Sequence, residues 1–326
     1  NDPSRWSVQH DPGQKQVLRF LKLRKALRLR SRLAAFNVGA AEYYNRLAYI
    51  SGADMVVVNP AGEFQRDATD TALHYLLETR CAQLYGISTA FVNLSFELAD
   101  KVLIEIADFV FSRCDVLEFR DTESEAYLDE MGGVSKPLVY PDGAVMTALE
   151  RREERFGKGI ALAINALQVR DNNLSTGWDG IIDDLRRAGA VTLTSNEWTT
   201  DQPFWQKYLN LDGVSCDGEE WDCFDYAKSL ADYHVVVSSR LHTCVMGLIA
   251  GAAVVPVETG TIKLTGFLKQ IGNKQEPIRM GVDNRQVQQL AKVKAIAADP
   301  AARVAHKDVF LKNPRTKWRG GVEVAL

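Results

Sequence analysis

The stretch Val235-Val-Val-Ser-Ser-Arg-Leu-His-Thr-Cys-Val-Met-Gly-Leu-Ile-Ala250 is the most informative part of the chain. A β-rich run breaks at Ser238-Ser239, and a helix-forming segment follows at once. A strand that feeds a helix in this way is a βα junction, and such junctions in series make a parallel sheet with helices on both faces. The same junction sets Arg240 and His242 at the carboxyl end of a strand and the amino end of a helix. Free backbone N–H groups and the helix dipole favour an anion there. An arginine adds a planar fork for phosphate or carboxylate, and a histidine adds a proton donor near neutral pH. On position alone a structural account serves equally well, with Arg240 paired to a carboxylate of another domain and His242 as a cap.

The same alternation extends in both directions. Downstream, Ala253–Val257 reads as a strand and Ile262–Gln270 as a helix. Upstream, Asp225–Asp232 is a helix, Phe204–Leu209 is helical, Ala190–Thr194 is a strand, Gly177–Ala188 a helix and Gly159–Asn165 a strand. An earlier set runs from about Leu47: a strand in Asp54–Pro60, a helix over Thr69–Tyr85, a strand at Ser88–Leu94 and a helix through Leu103–Phe111. The strand Val116–Arg120 follows, then a helix from Asp121 to Met131 and a strand at Leu138–Asp142. The charged stretch Glu150-Arg-Arg-Glu-Glu-Arg-Phe-Gly157 separates the two sets. The expected organisation is an α/β domain over residues 1–149, a second over 150–310 and a tail over 311–326. Two open α/β units facing each other make a cleft, with ligands at the carboxyl ends of the strands.

Composition excludes several classes. With 326 residues, 46% of them hydrophobic and 25% charged, the chain has the make-up of a soluble globular protein rather than a disordered one. A net charge of −3 argues against nucleic-acid binding through bulk charge. No apolar run approaches the roughly 20 residues of a membrane helix, and no signal peptide is recognisable. The five cysteines are scattered without metal-ligand spacing and read as reduced thiols, with the cytoplasm as the default compartment. Charge is concentrated at one place: residues 15–32 hold eight Lys or Arg, which leaves −11 for the remainder. Residues 16–33 read as a basic amphipathic helix. Such a helix lies on an anionic membrane surface, here the inner face, or packs on its own domain with basic stems in water.

Several motifs taken together resemble the polysaccharide pyruvyl transferase family. They are Ser239-Arg-Leu-His242 with a small-residue helix behind it, then Ala250-Gly-Ala-Ala-Val-Val-Pro256, then Lys263 before a helix. The first half agrees: Phe119-Arg-Asp-Thr-Glu-Ser124, a glycine pair and Tyr140-Pro-Asp142 are similar to the family's Arg-Asp-x-x-Ser element and its following Pro-Asp. Ala53-Asp-Met-Val-Val-Val-Asn-Pro-Ala-Gly62 stands where the family has a strand and a glycine-rich loop. The likeness spans about Leu47 to Gly272. Two departures stand out: Asn59-Pro-Ala-Gly-Glu63 holds one glycine where the family's loop has several, and the family's opening strand with its Gly-Asn-type loop is not recognisable near the start.

The resemblance implies a fold similar to two-domain, GT-B-type glycosyltransferases. It also implies an activity: transfer of the enolpyruvyl unit of phosphoenolpyruvate to a sugar of a glycan precursor as a pyruvate ketal, with no metal and no cofactor. His242 would then be the general acid, with Arg240 and Ser239 at the donor anion and Lys263 as a second anion contact. Arg120 at its strand end, Arg170 in Leu167-Gln-Val-Arg170, and Asn59 and Glu63 on the acceptor side complete the expected set. Arg120 also suits a salt bridge with Asp121 or Glu123, Asp142 after a proline reads first as a turn residue, and Lys263 alone reads as a solvated lysine. The acceptor would be a lipid-linked or nucleotide-linked sugar. The alternative is a glycosyltransferase with a nucleotide-sugar donor on the same scaffold.

Overall fold

In the computed structural model of the protein, the described residues are 33, 36, 37, 40, 52–66, 69–144, 159–171, 175–217, 221–250, 252–271 and 276–279. The basic segment 16–32, the charged stretch 150–157 and the tail 311–326 lie outside them. The chain divides into two compact units, the first ending at Tyr140 and the second beginning at Pro141.

The first unit is a four-stranded parallel sheet in the order β1-β2-β3-β4. Its strands are β1 (Met55–Val58), β2 (Ser88–Leu94), β3 (Val116–Phe119) and β4 (Leu138–Val139), joined by α1 (Thr69–Leu84), α2 (Lys101–Phe111) and α3 (Thr122–Glu130). Each element follows local chemistry. Asp100 caps α2 by accepting from the N–H groups of Val102 and Leu103, and Asp121 caps α3 by accepting from Ser124. Val58, Phe91, Leu117 and Phe119 point to one face and pack with Leu73, Leu77, Ile106 and Val110 into a single core. The aromatic rings of Phe64, Phe91, Phe96, Phe111 and Phe119 make a chain of edge and stacked contacts through it. β4 is two residues long, shorter than the run Leu138–Asp142 predicts, because Pro141 has no N–H to continue the ladder.

The second unit is a six-stranded parallel sheet in the order β10-β9-β8-β5-β6-β7. Its strands are β5 (Ile160–Ala163), β6 (Val191–Leu193), β7 (Val214–Cys216), β8 (Val235–Ser238), β9 (Ala253–Glu258) and β10 (Ile278–Arg279). The helices are α4 (Ala166–Asp171), α5 (Ser175–Ala188), α6 (Trp198–Trp205), α7 (Cys223–Leu230), α8 (Leu241–Ala250) and α9 (Lys263–Gln270). The chain runs outward from β5 to β7, returns to β8 beside β5, and continues the other way to β10. That reversal is the doubly wound pattern, and right-handed crossovers in opposite directions put helices on opposite faces. Alternate strand residues accordingly enter two cores. Ile160, Leu162, Val235, Val237 and Val255 pack with Trp178, Ile182 and Trp205, while Ala161, Val236 and Val254 pack with Tyr226, Val245, Leu248 and Phe267.

One expectation needs correction. The helix expected over 204–209 is α6, which ends at Trp205 and is extended only by a 3-10 turn over Gln206–Tyr208. Pro203 sits inside α6 and hid its periodicity. The strands β7 and β10 are edge strands of three and two residues, too short to leave a pattern in sequence. Arg170 lies in the helix α4.

Candidate active site

The point where the second sheet reverses lies between β5 and β8. The two strand ends are tied there: Ser239 N–H donates to Ala163 O (3.0 Å), and Asn165 N–H donates to Ser239 Oγ (2.8 Å). Ser238 is buried and folds back on the turn, its Oγ accepting from Arg240 N–H at 2.9 Å. The serine pair that interrupts the β run thus closes the junction through side-chain hydrogen bonds, as serine does at turns and caps. The first intrahelical bond of α8 runs from Cys244 N–H to Arg240 O (3.1 Å). The N–H groups of Leu241, His242 and Thr243 precede it, as the opening turn of any helix leaves them.

Arg240 is buried and its guanidinium is committed. Nε and Nη2 donate to the two oxygens of Asp201 at 2.5 and 2.6 Å, and Nη1 lies 2.9 Å from Glu197 Oε2. Burial by itself lowers the guanidinium pKa, but Asp201 and Glu197 outweigh it and hold the group above its ordinary value. Asp201 is itself fully buried and also accepts from Ser195 Oγ (2.6 Å) and Ala166 N–H (3.0 Å). One carboxylate therefore collects donors from the ends of β5, β6 and β8. The fork expected to hold a phosphate or carboxylate braces these three strand ends, and its partners come from the same unit.

His242 is the second residue of α8. Its ring is 37% exposed, and Nε2 lies 3.6 Å from Oδ2 of Asp142, which is 2% exposed. Beside it, Tyr226 OH bonds to Thr243 Oγ1 (2.9 Å), and Thr243 Oγ1 donates to Asn196 Oδ1 (3.1 Å). Burial raises the Tyr226 phenol, so it stays a donor. Behind the helix, burial pushes the Cys244 thiol up to about 12, which makes it an inert core group. After β9, Thr259 Oγ1 donates to Gln168 Oε1. Lys263 is the first residue of α9 and half-buried. The start of that helix is already served by Glu258, whose carboxylate accepts from Thr265 N–H (3.0 Å) and Oγ1 (2.8 Å).

The remaining expected residues lie elsewhere. The side chain of Arg170 lies outside the described residues. In the first unit Arg120 is buried, and Nε donates to Ser95 Oγ (2.7 Å), which in turn donates to Asp121 Oδ2 (2.8 Å). It thus reaches the capping carboxylate of α3 through a hydroxyl. Asn59 is exposed at the end of β1, and its Oδ1 accepts from Asn93 Nδ2 at 3.4 Å. Asn93 has a left-handed backbone (φ 55°) where the β2–β3 register shifts. Glu63 is exposed, and its N–H closes a turn onto Pro60 O (2.9 Å). Sequence reading missed Glu197, Asp201 and Asn93. Nothing local marks Asp201 as a buried hub, because its partners lie far along the chain.

These features define a protein of two parallel α/β units, the second of them doubly wound with buried polar groups at its switch point. The chain belongs to the polysaccharide pyruvyl transferase family, whose model matches residues 1–261. That match begins ahead of Leu47, where recognisable motifs start, and ends just before Lys263. Among curated proteins none matches the sequence. Among solved structures, S. aureus MnaA in its co-structure with UDP shares 12% identity at a TM-score of 0.54, over 87% of this chain and 77% of that one. The Methanocaldococcus jannaschii UDP-GlcNAc 2-epimerase with UDP-GlcNAc and UDP shares 11% at 0.53, over 84% and 76%. Arabidopsis thaliana UGT89C1 with quercetin shares 9% at 0.52, over 92% and 78%. At such identities the likeness shows the fold alone, which is that of GT-B-type glycosyltransferases. Among the described residues no helix is long and apolar enough to cross a membrane.

Proposed function

We propose that this transferase moves the enolpyruvyl unit of phosphoenolpyruvate onto a sugar of a glycan precursor, closing it as a pyruvate ketal. The observation that carries the reading is His242 on the opening turn of α8, at the switch point of a chain that belongs to the pyruvyl transferase family. In this reading the donor's anionic groups meet the first-turn N–H groups of α8 and the ammonium of Lys263. Arg240 orders the turn that presents them, and Ser239 ties it to β5. His242 delivers a proton to the methylene carbon, which becomes the methyl group. One sugar hydroxyl then bonds to the central carbon and loses its proton, the C–O bond to phosphate breaks, and a second hydroxyl of the same sugar closes the ring. The two hydroxyl protons balance the one taken up by carbon and the one that leaves with phosphate. Asn59 and Glu63, with Arg120 behind them, belong to the acceptor side. The basic segment 16–33 suits a lipid-linked acceptor at an anionic membrane surface, with Arg170 near the donor.

A nucleotide-sugar glycosyltransferase is the second reading, favoured because the S. aureus neighbour was solved with UDP. Isothermal titration with phosphoenolpyruvate, UDP and GDP separates the two. The expected result is binding of phosphoenolpyruvate and neither nucleotide; binding of UDP or GDP alone would turn the reading to glycosyl transfer. His242→Gln should keep phosphoenolpyruvate affinity within a few-fold and lower turnover by about 10²–10⁴.

A further inference from the structure

We infer that Asp142 is the positioning residue for His242, holding the ring by Nε2 so that Nδ1 is the nitrogen that handles the proton. The inference rests on the proton-donor role proposed above for His242.

The tripeptide Pro141-Asp-Gly143 has the composition of a turn, and Asp142 does serve one: its Oδ1 accepts from Ala144 N–H at 2.9 Å. Burying a carboxylate is unfavourable unless it is paired. Asp142 is 2% exposed, and its second oxygen faces His242 Nε2. At 3.6 Å this is an ion-pair contact rather than a closed hydrogen bond, and catalytic hydrogen bonds of this kind tighten when substrate is bound. The imidazole has two nitrogens, and the one that meets a carboxylate carries its hydrogen. A ring pinned at Nε2 therefore leaves Nδ1 free for the reaction. His242 itself sits on the rigid opening turn of α8, so one contact on its ring is enough to set the orientation. The two residues are separated by 100 positions in sequence and meet within the second unit.

The variant that tests this is Asp142→Asn. Asparagine keeps an oxygen for Ala144 N–H and suits the same turn, so the fold should hold, as a melting curve near that of the parent would verify. It replaces the second oxygen with an amide donor, which meets only an unprotonated Nε2. Two-bond nitrogen–proton correlations of the histidine-labelled full chain report the tautomer directly. The parent should show His242 with its hydrogen on Nε2, and Asp142→Asn should move it to Nδ1. In the assay with phosphoenolpyruvate and acceptor, kcat should fall by about 10²–10⁴ with KM for phosphoenolpyruvate changed less than about three-fold. Asp142→Glu, which restores a carboxylate, should recover part of the loss. An unchanged tautomer overturns the inference, as does a changed tautomer with unchanged kcat. Should the parent turn over no phosphoenolpyruvate, the pyruvyl transfer reading fails on its own, and the tautomer shift alone decides whether Asp142 sets the ring.

Discussion

The two sheets of this protein are both parallel and both built from βα units, yet among the described residues only the second has helices packed on both faces. In the first unit the strand order never reverses, so its helices serve the face of Val58, Phe91, Leu117 and Phe119. The register puts Met55, Val57, Val116, Glu118 and Leu138 on the other face, and Val57 there is 58% exposed. In the second unit the order reverses at β5 and β8, and every residue of β8 and β9 is buried. Reversal does two things together. It sends crossover helices to both faces, and it splays two neighbouring loops apart to make a crevice at the strand ends. The buried residues Arg240, Asp201, Ser239 and Asp142 all belong to the unit whose order reverses.

The comparison breaks most clearly at Arg240. Arg240→Ala should destabilise the second unit by about 3–5 kcal/mol, because Asp201 would stay buried with its strongest partner removed. A thermal melt should fall by roughly 6–20 °C, and a loss of only a degree or two would mean that the strand ends are held without this pair. A consequence for assays is that loss of donor binding in this variant reports on folding as well as contact.

The second covered face predicts the next effect. Gly247 lies where α8 packs on the sheet, and a Cβ there would stand 3.0 Å from Val254 Cγ2 and 3.2 Å from Val236 Cβ. Gly247→Val should destabilise by about 1–3 kcal/mol through overpacking, measured by denaturant unfolding. A neutral result would show that α8 is free to shift and that the opening turn carrying His242 is not rigidly held.

The smallest effect is expected on the uncovered face. Partial burial raises the Glu118 carboxyl above its ordinary value, although Asn93 N–H pulls the other way. A raised folded-state pKa means that the protonated form is favoured by folding. Its stability contribution is full below the unfolded value and is lost as pH rises through the folded one. Glu118→Gln should therefore melt slightly above the parent at neutral pH, with the gap closing below the ordinary glutamate range of about 4.3. A gap that is constant with pH would place the cause in packing instead.

Much of this was legible in the chain. The run Val235–Ser238 followed by α8, the helix start at Asp121, and the succession of strands β1 to β4 along the chain all follow from local periodicity and turn chemistry. His242 and Arg240 were recognisable as strand-end residues because a βα junction fixes where they sit. The roles of their side chains were less visible. Arg240 was expected to meet a ligand, and the structure adds its pairing with Asp201; Asp142 was expected to make a turn and also faces His242.

By itself the sequence determined the α/β class, the two successive sets of βα units and the family to which the chain belongs, since these depend on patterns over neighbouring residues. Only the tertiary structure decided that the second sheet reverses at β5, that Asp201 gathers three strand ends, and that Asp142 lies against His242. Those facts depend on which distant segments share a buried space, and a buried charge declares its partner only once the fold has removed the water around it.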